Sequence, residues 1–280
     1  MRRYVQQIMD RGFLKTFLVT TALLVAGALA ALPLAWSIWH SFTAAPLHAA
    51  VGQTAISFDA YRHLFSAQPV ATWLANSLFL AGLQTVIAAI CSTLAGFALA
   101  RYRFRGRLLI LGVFLATLLL PSQVALPAAW QLMRDLHLLD SYLALLLPAA
   151  ASAFGVLLFY QTCRQIPPEL LDAARIDGCG EWRLWWEIVL PAIQPTLATF
   201  VVLSFTANWN AFLWPQIVIQ DDRKYTLAMG MANLTAQPQS RGDLPLLLAA
   251  TTLCIIPSFI LFLAARKHLN ETFNEGAIRG

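Results

Sequence analysis

Six long apolar runs leave this chain little choice of solvent. Thr16–Trp39, Ser77–Ala100, Leu108 to about Pro127, Tyr142–Tyr160, Thr196–Trp214 and Leu244–Ala265 each come close to, or exceed, the ~20 residues that a helix needs to cross hydrocarbon. The chain is 59% hydrophobic and only 12% charged, against roughly a quarter charged in soluble domains. The expected fold is therefore an all-α integral membrane protein with six transmembrane helices. The third run is the weakest, because it meets Pro121 after 13 residues; it is read as continuing through a proline kink. The first run has small residues near its middle, as signal peptides do. Its length exceeds the 7–15 residues of a cleavable apolar region, so retention is expected.

Basic residues orient the spans. Fourteen of the nineteen lysines and arginines fall in the N-terminal segment, the second connection (RYRFRGR), the fourth connection and the C-terminal tail. Only five fall on the other side: Arg62, Arg134, Arg223, Lys224 and Arg241. The excess places both termini in the cytoplasm. This divides the chain into residues 1–70 (cytoplasmic segment, first span and first extracytoplasmic loop), 71–265 (five spans with a cytoplasmic loop at 161–194) and a cytoplasmic tail at 266–280. The net charge of +5 is explained by this topology, so no nucleic-acid partner is implied. Ser92, Gly96 and Ala100 form a small-residue stripe that suits close helix contact.

Several functions lack their residues. The four cysteines form no CxxC pair and the five histidines are scattered, so no metal site is expected. The lysines follow Leu14, Arg223 and Arg266, which rules out a GxxxxGK[ST] phosphate loop. Catalytic pairs are missing too. No span interior carries the charged group that ion-coupled carriers use. A stand-alone secondary transporter or channel for a small polar solute is the alternative reading, and it lacks that hallmark.

The fourth connection is different in kind. Residues 169–191 read ELLDAARIDGCGEWRLWWEIVLP, charged and aromatic between apolar spans. Pro167 and Pro168 suit a helix start, and Glu169 and Asp172 suit its positive dipole end. Leu171, Ala174, Arg175 and Gly178 share one face, Asp172 can meet Arg175, and Gly178 supplies a stop. The helix is short, barely three turns, and needs a surface to rest on. A second helix then begins, with Arg183 and Glu187 able to pair. Trp182, Trp185 and Trp186 suit the membrane interface.

This stretch resembles the coupling loop of bacterial ABC importer permeases, whose pattern is Glu-Ala-Ala, three residues, Gly, nine residues, Ile-x-Leu-Pro. Here it reads Asp172-Ala173-Ala174, Gly178 and Ile188-Val189-Leu190-Pro191, with aspartate in place of the first glutamate. The runs ARIDG, WNAFLWP, YTLAMGM and the terminal GAIRG are similar to the second permease of maltose-type systems, in the carbohydrate-uptake branch. The resemblance implies a MetI-like, multi-pass inner-membrane permease subunit without catalysis or cofactor of its own. ATP and Mg would sit on a partner ATPase dimer, and the further partners would be a second, homologous permease, an extracytoplasmic solute-binding protein and membrane lipid. It assigns ATPase coupling to Asp172, Ala173, Ala174, Arg175, Asp177 and Gly178, and tail contact with the ATPase to Gly276, Arg279 and Gly280. Asn208, Trp209 and Asn210 are candidates for the solute path, with helix-to-helix hydrogen bonding as the competing role; Trp214 reads as an interfacial belt residue. The resemblance implies transport of a sugar or sugar-like solute by alternating access.

Overall fold

A computed structural model describes the backbone at residues 2–43, 56–236 and 243–278, with side chains at 16–43, 56–236, 243–261 and 263. Among the described residues the regular structure is helical, with one isolated β-bridge between Thr43 and Ile56. It forms two compact units, Met1–Gln68 with Leu234–Leu253, and Pro69–Asn233 with Cys254–Gly280.

In the first unit, α1 (Arg2–Ser41) carries the apolar segment Thr16–Ser41, none of whose most apolar window is buried by protein. Phe42 stacks near Phe58 and Tyr61, and Ser41 Oγ lies 2.8 Å from the Tyr61 hydroxyl. These contacts fix the start of α2 (Asp59–Ala67).

The second unit is built on α3 (Val70–Arg101), which begins seven residues before its expected apolar run. It packs against α7 (Ala153–Arg164), whose start is capped by Ser152 Oγ accepting from the Gly155 N–H at 3.1 Å. Only small residues allow this approach. A Cβ on Gly96 would stand 2.7 Å from Phe159 Cβ and 2.8 Å from the Tyr160 nitrogen; one on Gly155 would stand 2.5 Å from Ser92 Oγ. The stripe legible at Ser92 and Gly96 is thus the α3–α7 seam. Beside it, Phe159 of α7 meets Phe200 edge to face, with centroids 5.2 Å apart. Phe200 comes from α11 (Gln194–Trp209).

Among the described residues, four segments are long and apolar enough to cross a membrane: Thr16–Ser41, Val70–Arg101, Leu143–Arg164 and Leu244–Leu261. The third of these comprises α6 (Leu143–Ala149) and α7, and the last is the start of α14 (Leu244–Ile278). Two further spans arise if each of two bent helix pairs is counted as one.

One such pair corrects the third expected span. Helices α4 (Arg107–Leu119) and α5 (Ser122–Asp135) meet at 111°, not at a mild kink. Pro121 cannot donate to the preceding turn and pushes the residue before it out of helical geometry. Leu120 accordingly takes φ −87°, ψ 131°, and Pro121 ψ 129°. Two successive extended residues turn the chain. Pro127, the expected limit of the span, lies inside α5.

The fifth span also ends early. Helix α11 stops at Trp209, and Leu213–Val218 forms a separate short helix, α12. The chain closes with α13 (Leu227–Ala236) and then α14.

Candidate functional site

The segment joining α7 to α11 forms the expected two helices. Helix α8 (Pro168–Ile176) starts at the second proline of the Pro167–Pro168 pair. At its other end the Gly178 N–H donates to the Arg175 carbonyl and the Cys179 N–H to the Ala174 carbonyl, both at 3.0 Å. This is a Schellman closure, which requires a left-handed residue, and Gly178 has φ +81°. Nothing lies within 4 Å of a Cβ built there. Within this chain glycine is therefore demanded by backbone angle and not by crowding.

Leu171 anchors α8. It is 2% exposed and belongs to a cluster with Phe97, Phe159, Cys163, Leu184 and Phe200, with Ala174 packed alongside. Truncating a leucine so buried costs about 2–5 kcal/mol. The other face of α8 is open: Leu170 is 47% and Ile176 86% exposed, Asp172 and Ala173 are exposed between them, and Asp177 is exposed just past the helix end.

Charge ties the segment together. Arg175 Nη1 donates to Asp172 Oδ1 at 3.2 Å, as the spacing predicts. Arg175 Nε also donates to Glu181 Oε1 at 3.0 Å, and the Tyr102 hydroxyl donates to Glu181 Oε2. The Glu181 hydrogen bond, with that residue's negative charge, holds the Arg175 guanidinium above its ordinary value. Arg183 Nε donates to Glu187 Oε2 at 2.8 Å. Close by, Arg101 Nη2 donates to the carbonyls of Cys163, at 2.6 Å, and of Ile166. It thereby satisfies the end of α7, where a cation also suits the helix dipole.

The second helix is not uniformly interfacial. It runs as α9 (Glu181–Leu184), a π turn over Trp185–Val189, and α10 (Leu190–Ala192), then bends 83° into α11. Trp182 and Trp186 are exposed, but Trp185 is buried in the Leu171 cluster. Its position faces inward with Leu184 and Val189, and core packing takes precedence over the interfacial preference of tryptophan.

The solute-path candidates separate. Asn208 lines a cavity of about 350 Å³ with Ser152, Ser204, Phe154 and Phe200. Trp209 is buried, stacked on Phe205, and donates from Nε1 to the Cys254 carbonyl at 2.9 Å. Asn210 is exposed and its Nδ2 donates to the Thr206 carbonyl, closing α11. Trp214, expected in an interfacial belt, donates to the Ala144 carbonyl at 3.0 Å and packs on a core cluster. Of the tail candidates, Gly276 lies within α14; Arg279 and Gly280 fall outside the described residues.

Sequence reading missed a polar clasp at the other end of α3. Asn76 Nδ2 donates to the carbonyls of Arg223 and Tyr225, and its Oδ1 accepts from the Tyr142 hydroxyl. Ser77 Oγ accepts from the Leu227 N–H at 2.7 Å. Asp140 accepts from the Gln220 and Asp221 N–H groups and from Lys224 Nζ. No local pattern marks these pairs, which lie 66 to 150 residues apart in the case of Asn76 and Ser77.

Residues 92–274 match the family of binding-protein-dependent transport system inner membrane components. The arabinooligosaccharides transport system permease protein AraQ of Halalkalibacterium halodurans is 34% identical, over 75% of this chain and 74% of that relative. The sn-glycerol-3-phosphate transport system permease protein UgpE of Yersinia pestis bv. Antiqua is 34% identical over 72% of each. Among solved structures, a bacterial ABC transporter involved in the import of the acidic polysaccharide alginate superposes with a TM-score of 0.78 at 24% identity, covering 89% of this chain and 95% of that one. The bent and continuous apolar helices, the loop pattern and these likenesses agree: the chain belongs to the binding-protein-dependent inner-membrane permeases, as a multi-pass protein of MetI-like fold.

Proposed function

We propose that this permease is the second, MalG-like transmembrane subunit of an ATP-driven importer of a sugar or sugar-like solute. Its relatives' names, arabinooligosaccharides and sn-glycerol-3-phosphate, support that solute class. The partners are a homologous permease, an ATPase dimer that carries ATP and Mg, and an extracytoplasmic solute-binding protein. Both termini and residues 161–194 face the cytoplasm, in keeping with the arginine and lysine distribution. Asn208 lines part of the solute path. The tail, including Gly276, Arg279 and Gly280, reaches the ATPase.

The observation that carries this reading is the two-sidedness of α8. Leu171, the Gly178 closure and Arg175 hold one face firmly to the protein, while Leu170, Ala173 and Ile176 present an uncovered apolar stripe bordered by Asp172 and Asp177. That face fits a cleft on the ATPase. Closure of the ATPase dimer then pushes or tilts α8 and, through the cluster beneath Leu171, the helices lining the solute path. The chain's residues perform no covalent step; they bind, position and transmit.

Gly178→Asp tests it. There is open space at this position, and aspartate enters left-handed backbone more readily than most residues. The chain's own loss is on the order of 1–2 kcal/mol. The expected result is a normally inserted permease that no longer co-purifies with its ATPase and imports nothing. Full uptake with an intact complex would make this segment a passive membrane anchor.

A further inference from the structure

Glu181 stands where three elements end or begin. It is the first residue of α9; its Oε1 accepts from Arg175 in the last turn of α8, and its Oε2 accepts from Tyr102, the residue that closes α3. Tyr102 is fixed in turn. Its N–H donates to the Ala98 carbonyl, and its ring meets Phe97 edge-on at 5.8 Å, with Phe97 inside the cluster that buries Leu171. Asp172 completes the chain of contacts through Arg175.

Stability alone is a poor explanation for this arrangement. The Arg175, Asp172 and Glu181 side chains are 35%, 66% and 51% exposed, and ion pairs so exposed contribute about 0–1 kcal/mol. Leu171 and the Gly178 closure already hold α8 in place. What the carboxylate adds is direction. Leu171 and the Ala174 beside it are apolar contacts along one line of a nine-residue helix, about which it can tilt. Glu181 supplies a second, polar contact near the other end of α8, and it joins that end to α3.

We propose that Glu181, with Tyr102, is a positioning residue for coupling: it fixes the tilt of α8 and makes α3 follow when α8 is displaced. The proposal rests on the reading of α8 as the ATPase-contacting helix. It gives the RYRFRGR connection a role beyond its positive charge, since Tyr102, beside Arg101 and Phe97, joins the first long helix of the core to the coupling segment.

The test uses the whole transporter with its partner subunits in lipid nanodiscs, carrying Cys179→Ser and Cys254→Ser and a fluorescent label on Cys91, which lies on α3, with the buried Cys163 left in place. The probe is Mg-ATP with vanadate, so no transported solute is needed. In the otherwise unaltered protein, nucleotide trapping is expected to shift the Cys91 label. In Glu181→Ala the ATPase should still co-purify and trap nucleotide, while the label shift falls roughly threefold or more, within the range by which coupling residues act. Glu181→Gln, which keeps one carbonyl acceptor, and Tyr102→Phe should fall less.

A full label shift in Glu181→Ala would overturn the proposal. So would loss of ATPase binding in that variant, because Glu181 would then be a docking residue. The absence of any shift in the unaltered protein would do the same, since α3 would not follow α8. Gly178→Asp in the same background separates the two ideas. If it releases the ATPase while Glu181→Ala behaves normally, only the positioning role fails; if it keeps both the ATPase and the shift, the reading of α8 fails.

Discussion

At one end of α3, Asn76 and Ser77 hold a loop shut; at the other, Arg101 and Tyr102 hold a helix out. Both ends use side chains that reach backbone or side-chain groups far away in sequence. At the Asn76 end the polar groups turn inward: Asn76 alone makes three hydrogen bonds, and Asp140 gathers two backbone N–H groups and an ammonium. At the Arg101 end the ties secure only one face of α8, and the other face keeps Leu170 and Ile176 uncovered. Hydrogen bonds alone therefore do not distinguish a structural end from a functional one. The distinction lies in what is left over once they are satisfied: under the proposed reading, the uncovered Leu170 and Ile176 are the surface that meets the ATPase.

The largest effect should come from breaking what both ends share. Gly96→Val places branched carbons where even a Cβ would lie 2.7 Å from Phe159 Cβ and 2.8 Å from the Tyr160 nitrogen. Backbone on the far side cannot step aside, so overpacking should exceed the usual 1–3 kcal/mol. The expected outcome is almost no folded permease in the membrane fraction, with both ends lost together. Normal yield and uptake would show that α3 and α7 do not depend on this contact.

Asn76→Ala should separate the ends. It leaves two carbonyls and the Tyr142 hydroxyl without their partner, a cost of about 1–3 kcal/mol. The purified complex should unfold at a lower temperature, yet each remaining molecule should keep its ATPase and transport at the unaltered rate. A drop in the rate per molecule would mean that the Asn76 end also takes part in transport.

Ile176→Asp reverses that pattern. The side chain is 86% exposed, and substitutions at such sites change chain stability by about 0.5 kcal/mol or less. Thermal unfolding of the isolated permease should be unchanged, while uptake falls about tenfold, as expected from removing ~1.4 kcal/mol of contact with another surface. Unchanged uptake would leave the uncovered stripe without a function.

The contrast also shows what local sequence carries. The ends of α8 were legible at Pro167, Pro168 and Gly178, because caps are decided within a few residues. The Asp172–Arg175 and Arg183–Glu187 pairs and the Ser92–Gly96 stripe were legible for the same reason. The 111° break at Leu120–Pro121 was not, since hydropathy reports solvent and is blind to direction. Trp185 was misjudged because composition cannot say which of two neighbouring tryptophans faces the core. Glu181 was overlooked as a junction, and Asn76 and Asp140 altogether, because their partners are brought near only by the fold. Asn208, Trp209 and Asn210 looked alike in sequence; one helical turn sends them to a cavity, a core and a cap.

The smallest effect is expected at Asp140. The Asp221 backbone N–H, then that of Gln220, and the Lys224 ammonium hold its carboxyl below the ordinary carboxylate value, against an opposing contribution from burial. A carboxylate depressed in the folded state contributes stability that is present above its unfolded value, about 3.9, and is lost only as pH falls through the lower folded value. Lys224 is raised, chiefly by its hydrogen bond to Asp140. Its contribution is therefore present below the ordinary lysine value, about 10.4, and is lost as pH rises through the higher folded value. Neither transition falls between about pH 5 and 9, so the clasp should be insensitive to pH across that window. Asp140→Asn removes the charge but keeps a carbonyl that can accept from the Asp221 N–H. With the paired side chains open to solvent, screening keeps the loss small. Uptake measured against external pH should then follow the same curve in Asp140→Asn as in the unaltered protein, with only a slightly lower unfolding temperature. An acid limb between pH 5 and 7 that disappears in Asp140→Asn would show that this end titrates during transport, and the contrast between a closed end and a working end of α3 would fail.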